Sequence, residues 1–253
     1  MSANSTADKN PRSRNIVIGA GVATAALLLG LFSYTATKPS PPAARSNPVA
    51  EVTEGPQDES RSPLEALARR EGGDPLAVGE ADAPVVLIEY ADFRCSFCGK
   101  FARDTEPKLI EKYVADGTLR IEWRNFPIFG AESERAARAA WAAGQQGRFW
   151  EFHALAYAED AKEKGFGDER TTVLAKEAGV ADLARFEKDR DGEAAEQALT
   201  KDREEGYGLG VSSTPSFLVN GRPIAGAQPL SAFEEAIEQA AAAKSAEAKG
   251  GDQ

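Results

Sequence analysis

The 253-residue chain holds two cysteines, three apart, as Cys95-Ser96-Phe97-Cys98. No other thiol exists to form a crosslink elsewhere or to complete a four-thiolate zinc site. The pair follows Val85-Val86-Leu87-Ile88-Glu89-Tyr90, which reads as a strand, and precedes Gly99-Lys100-Phe101-Ala102-Arg103, which reads as a helix. A Cys-x-x-Cys where a strand feeds a helix is the arrangement of a thiol–disulfide redox site. The helix N-terminus leaves backbone N–H groups unpaired and carries partial positive charge, and both favour a thiolate on the first cysteine. Cys95 is therefore the candidate nucleophile, with its sulfur exposed at the helix end. Cys98, one turn further in, is expected to be buried and to regenerate the intramolecular bond. The alternatives are a buried reduced pair and half of a metal site.

The elements around this pair follow from pattern. Leu76-Ala77-Val78 is a candidate short strand, Val85 to Tyr90 a buried one, and Leu119 to Trp123 a half-buried one by its alternation. The helix after Cys95 is expected to run to about Val114 with a kink at Pro107. Two strands separated by a helix imply a right-handed parallel crossover. Residues 131–205 read as helical, with the charges of Asp182 to Glu205 on a solvated face. Ser216 to Val219 returns as a strand, Asn220-Gly221 is a hairpin turn, and Pro223-Ile224-Ala225 is its partner. Ser231 caps a last helix.

The ends carry a different signal. Asn15 to Thr37 contains no charge, and Ile16 to Tyr34 is mostly apolar behind Lys9, Arg12 and Arg14. Such a run can cross a bilayer, and the basic flank keeps its N-terminal side in the cytoplasm. A cleavable signal peptide is the competing reading, but Thr35-Ala36-Thr37 and Pro41-Pro42-Ala43-Ala44 are poor cleavage sites. The expected organisation is a cytoplasmic N-terminus at 1–15, a transmembrane signal anchor at 16–36 and a tether at 37–63 that holds six of the fourteen prolines. A single folded domain is expected at 64–244, followed by a flexible tail at 245–253. A net charge of −10 argues against nucleic-acid binding. One histidine and two cysteines argue against a structural metal. His153 is expected to be a packed helix histidine rather than a base.

Three stretches carry a family resemblance: Glu89-Tyr90-Ala91-Asp92-Phe93-Arg94-Cys95-Ser96-Phe97-Cys98, Gln146-Gly147-Arg148-Phe149-Trp150-Glu151-Phe152-His153, and Gly210-Val211-Ser212-Ser213-Thr214-Pro215-Ser216-Phe217. In this order the chain resembles the DsbA-like thiol:disulfide oxidoreductases, specifically the membrane-anchored actinobacterial type. The resemblance implies an α/β thioredoxin-like fold with an all-helical insertion between its βαβ and ββα halves. It implies an extracytoplasmic enzyme that introduces disulfides into exported proteins, with no cofactor beyond the Cys95–Cys98 disulfide. It implies reduced exported proteins as substrates and a quinone-linked membrane reoxidant of the DsbB or vitamin-K-epoxide-reductase type. The enzyme is expected to be a monomer held at the membrane by its anchor.

The same resemblance assigns roles. Glu89, the one ionisable residue of its strand, falls where the family has a buried acid able to exchange a proton with Cys98. The alternative is an edge strand with Glu89 in water. Thr214-Pro215 is expected to be a cis peptide facing the disulfide, with Thr214 pairing to an extended substrate. Ser96 and Phe97 tune the pair where many relatives have Pro-His, so the couple is expected to be oxidising but less so than the family's strongest member. Phe93 and Phe97 are candidate substrate contacts, or else a cover for the active-site helix. Two other readings stay open: an isomerase or reductase on the same fold, and a non-redox module binding peptide or copper. The chain's single methionine, Met1, argues against copper.

Overall fold

A computed structural model describes residues 63–161 and 163–250. The expected N-terminus, the anchor and all of the tether but Pro63 lie outside these residues. A single 3-10 turn at Glu65–Leu67 precedes β1 (Ala77–Val78) and β2 (Val85–Ala91). Then come α1 (Ser96–Asp104), α2 (Glu106–Leu109) and β3 (Leu119–Asn125). Five helices follow: α3 (Ala131–Gly144), α4 (Phe149–Ala156), α5 (Asp168–Glu177), α6 (Leu183–Asp191) and α7 (Glu193–Gly208). The chain closes with β4 (Ser216–Val219), β5 (Arg222–Ala225) and α8 (Leu230–Gly250).

The sheet order is β1-β3-β2-β4-β5. β2 and β3 are parallel, in register from Val85 opposite Leu119 to Ala91 opposite Asn125. β4 lies antiparallel on the other side of β2. β2 is thus an interior strand, and all seven of its residues are buried, which its run of apolar β-branched side chains permits. Alternation along the strand puts Glu89 on the face of Val85, Leu87 and Ala91. That face packs against Phe101 and the helical block, whereas Val86, Ile88 and Tyr90 pack against Phe126 and Leu218 on the other side. The β4–β5 turn is the two-residue Asn220-Gly221, with φ of 43° and 82°, the conformation this dipeptide favours.

Four details differ from the sequence reading. The helix after Cys95 is not one kinked rod: it breaks at Thr105, resumes as α2 and ends in a π turn at Ile110–Val114. Pro107 lacks an N–H and crowds the carbonyl of residue 103, so the break falls two residues before it, at Thr105. The last part of the insertion is two helices, parted at Gly192. The tail from Ser245 continues α8 to Gly250, as an alanine-rich segment readily does.

Residues 182–205 do not form a purely solvated face. Asp202 is 2% exposed and accepts hydrogen bonds from the Asn125 N–H at 2.8 Å and from Arg69 Nη2 at 2.8 Å. Glu205 accepts from the Tyr90 hydroxyl at 2.7 Å and from Arg124 Nε at 3.0 Å. Arg124 in turn donates to Glu122 at 2.8 Å, and Glu122 also accepts from the backbone N–H groups of Arg69 and Arg70. This network fastens the segment before β1 and helix α7 onto β3. Gly206 allows the approach, since a Cβ there would sit 2.6 Å from the Phe126 ring. Among the described residues, no helix is long and apolar enough to cross a membrane.

Candidate active site

Cys95 is the N-cap of α1, with an extended backbone (φ −77°, ψ 120°) and a carbonyl that accepts from Gly99 N at 3.1 Å. The loop that delivers it is held by Asp92. Its carboxylate accepts from Arg94 N at 2.8 Å and, across the sheet end, from Ile128 N at 2.7 Å and Phe129 N at 3.1 Å. Asp92 also accepts at its carbonyl from Cys95 N, at 2.9 Å. Sequence reading passed over this aspartate, although an Asp two residues before a turn amide is a recognisable Asx signal.

The two thiols are unbonded in this structure and differ sharply. Cys95 is held down to about 6, foremost by a hydrogen bond from the Cys98 thiol. The Thr214 side chain and the N–H groups of Cys98 and Phe97 also favour its thiolate, while burial opposes it. Cys98 has no exposed surface, and burial first, then its neighbour Cys95, pushes its thiol up. The expectation of an exposed nucleophile needs correction: Cys95 is only 5% exposed. The loop before β4 covers it. The Thr214–Pro215 bond is cis, and the Cys95 thiol donates to the Thr214 carbonyl at 3.2 Å. A cleft of about 200 Å³ nevertheless opens beside Cys95, bordered by Ser96, Gly99, Arg103 and Tyr157. The Thr214 hydroxyl is buried and has no hydrogen-bond partner toward the neutral thiol, so it is available to a thiolate.

Glu89 lies behind the pair at 1% exposure, between Trp123 of β3 and Phe217 of β4 in the register. The water-exposed edge alternative is excluded. Neither of its carboxyl oxygens has a hydrogen-bond partner, and burial followed by Glu106 and Cys95 pushes it well above the usual carboxylate range. Glu106 and Tyr157 interact with it electrostatically, and His153 Nδ1 stands 3.6 Å from Glu106. Burial raises Glu106 to about 8 and lowers His153 to about 3, so the imidazole is neutral. His153 is packed, as its helix face suggested. Glu106 went unnoticed because an acid ahead of a proline at a helix start ordinarily faces water.

The aromatic pair divides. Phe97 is 65% exposed beside the cysteines. Phe93 is 2% exposed, stacks on Tyr157 at 5.0 Å and packs tilted against Trp123 at 5.1 Å between centroids, so it is a core residue at the back of the cleft, nearer to the covering alternative than to an open substrate contact. Ser96 sits in the first turn of α1, on the rim of the cleft. Among the described residues, no group of three or more His, Cys, Asp or Glu side chains could hold a metal ion.

Comparison with known proteins agrees with this geometry. A family model described as thioredoxin matches residues 71–239. The chain is 29% identical over 150 residues to the probable disulfide bond formation protein D of Bacillus cereus, covering 57% of this chain and 69% of that protein. It is 32% identical over 175 residues to the Na(+)/H(+) antiporter NhaA 3 of Salinispora tropica, covering 68% of this chain but only 26% of the antiporter. The chain thus spans about a quarter of the antiporter's length. Oxidised BdbD from Bacillus subtilis superposes with a TM-score of 0.61 at 24% identity, over 67% of this chain and 93% of that one. A thioredoxin-like oxidoreductase from Silicibacter pomeroyi gives 0.58 at 26% identity, over 67% and 98%.

Proposed function

This chain belongs to the thioredoxin family, and on that premise we propose that it is a DsbA-like thiol:disulfide oxidoreductase that introduces disulfide bonds into exported proteins. The observation that carries this reading is the division between the two thiols: Cys95 is held down to about 6 while its partner three residues on is pushed up. A thiolate stabilised at the helix N-terminus is a good leaving group, which makes the disulfide easy to reduce and the enzyme an oxidant.

In the reaction, a substrate thiolate attacks the Cys95 sulfur of the Cys95–Cys98 bond. That bond breaks, its electron pair leaves on Cys98, and Cys98 takes a proton. A second substrate thiolate then attacks the substrate sulfur of the mixed disulfide and releases Cys95 as a thiolate. The products are an oxidised substrate and the dithiol enzyme. Glu89 is proposed as the proton partner of Cys98. Thr214 and Pro215 flank an extended substrate segment, Phe97 contacts its apolar side chains, and Ser96 with Phe97 tunes the couple.

The enzyme is further proposed to work outside the cytoplasm as a monomer, anchored through residues 16–36 with 37–63 as tether and 64 onward as the catalytic domain. The uncharged run behind Lys9, Arg12 and Arg14 supports the anchor. A quinone-linked membrane protein would reoxidise the dithiol. The test is to mix the oxidised full-length chain with a reduced, unfolded protein containing two cysteines and count thiols lost. Stoichiometric oxidation is expected, and its absence would sink the proposal. Sequencing the mature N-terminus and shaving intact cells with protease test the anchor.

A further inference from the structure

Beneath the cysteine pair, the core holds four titratable side chains, which come from β2, α2 and the end of α4. Glu89, Glu106, His153 and Tyr157 are 1%, 4%, 2% and 3% exposed. Both Glu89 oxygens, Glu106 Oε1, His153 Nε2 and the Tyr157 hydroxyl have no hydrogen-bond partner. Buried polar atoms are paired in the great majority of cases, so five together in one chamber call for a reason. His153 Nδ1 stands 3.6 Å from Glu106 Oε2, close enough to interact but too far for a hydrogen bond. The rings of Phe93, Trp123, Phe149 and Trp150 enclose the imidazole at 5.1–6.0 Å between centroids.

The groups that act on the two carboxyls are each other, Cys95, Cys98, Tyr157 and His153. Among the described residues, no lysine or arginine pairs with either carboxyl. Two carboxyls in one apolar chamber without a cation cannot both ionise at low cost. Glu89 reaches Cys98 electrostatically, and Glu106 reaches Glu89.

We propose that Glu106 is a positioning residue for the thiol chemistry: with Glu89 it forms a two-carboxyl proton store, closed off by His153, that hands one proton to Cys98 when the disulfide opens and recovers it when the disulfide closes. The inference rests on the oxidoreductase reading and deepens it. When the substrate thiolate breaks the S–S bond, the electron pair left on Cys98 accepts the proton held by Glu89. The Glu89 carboxylate so formed lies near a neutral Glu106, so the core carries one negative charge there rather than two. On closure, Cys98 returns its proton to the pair, and its sulfur attacks the Cys95 sulfur of a mixed disulfide. No co-reactant beyond the exchanging thiols is needed. Neutral His153 keeps water from Glu106 and adds no charge.

The test uses the full-length chain with Cys95 carried as its mixed disulfide with glutathione, and follows glutathione release by Cys98 against pH. Glu106→Gln keeps the side-chain shape but cannot exchange a proton. It should move the inflection of the profile down by at least about one pH unit, because Glu89 then ionises without an opposing neighbour. Glu106→Asp should restore part of the wild-type profile. An unchanged inflection in a folded Glu106→Gln protein overturns the inference. Should that variant not fold, infrared difference spectra of the wild type decide it: a protonated-carboxyl band must weaken on reduction and recover on oxidation, and its absence overturns the inference. If the wild type releases no glutathione at any pH, the oxidoreductase reading itself fails, a result that differs from the other two.

Discussion

The Cys95 sulfur lies 3.2 Å from the carbonyl oxygen of Thr214, a residue 119 positions later in the chain. One contact therefore joins the active-site helix to the loop before β4, and it places the Thr214 backbone beside Cys95. The neutral thiol donates to that carbonyl. The thiolate instead draws on the Cys98 thiol, the Thr214 side chain and the helix N–H groups. The site thus offers a partner to each protonation state of Cys95.

The two cysteines should behave unequally when replaced. Cys98→Ala leaves the nucleophile in place but removes the resolving thiol, so mixed disulfides with exported proteins should accumulate. Cys95→Ala should trap little, since Cys98 is buried with its thiol pushed up. Both variants should reduce oxidation of a model substrate to background. Non-reducing gels of cells carrying each variant, with reduced controls, show the adducts. Adducts with Cys95→Ala alone would reverse the assignment.

Thiolate absorbance of the reduced protein should titrate with a midpoint near 6, the value to which Cys95 is lowered. Thr214→Val removes one of the donors that stabilise the thiolate and should move that midpoint upward. The sign for stability follows: a lowered thiol stabilises the folded dithiol fully above the unfolded value near 9 and loses that contribution as pH falls through about 6. Denaturant titrations of the reduced protein across this window should show stability rising with pH relative to the disulfide form. A flat difference would contradict the assignment.

Glu106 acts in the opposite direction. Burial lifts its folded value from 4.5 to about 8, so its contribution to stability is greatest below 4.5 and declines as pH rises toward 8. The oxidised protein, in which Cys95 has no thiol to titrate, leaves Glu106 and Glu89 to act in the same direction, and Glu106→Gln separates the two. By pH 7 the decline from Glu106 amounts to roughly 3 kcal/mol. Glu106→Gln should flatten the dependence. Melting curves from pH 4 to pH 8 test the slope, and equal slopes in the two proteins would show that Glu106 is not the titrating group.

The Glu122–Arg124 pair has no exposed side-chain surface. Burial opposes the Glu122 carboxylate, but Arg124 and the Arg69 and Arg70 amides hold it down to about 2. Its stabilisation is present above 4.5 and is lost only as pH falls through about 2. Arg124→Leu leaves Glu122 buried beside fewer cations and should cost about 3–5 kcal/mol. Hydrogen exchange at the Arg69 and Arg70 amides should quicken in Glu122→Gln, because both donate to that carboxylate. Unchanged exchange would separate the N-terminal segment from this network.

Local features of the chain determined a good deal by themselves. The Cys-x-x-Cys at a strand–helix junction, the apolar run of β2 with Glu89 inside it, and the Asn220-Gly221 turn are readable because each expresses a short-range rule. Helix ends present N–H groups, strands alternate, and positive φ selects Asn-Gly. The tertiary structure decided the rest. Whether Phe93 or Phe97 meets a substrate depends on which one the Trp123 and Tyr157 rings cover, and those rings arrive from β3 and α4. Whether Asp202 and Glu205 face water depends on Arg69, Arg124 and Tyr90 reaching them across more than 75 residues of chain. The meeting of Glu106 and His153 behind Glu89 has no sequence signature. Burial and electrostatic proximity are properties of packed neighbours, and the spacing of residues along one chain does not encode which neighbours will be brought together.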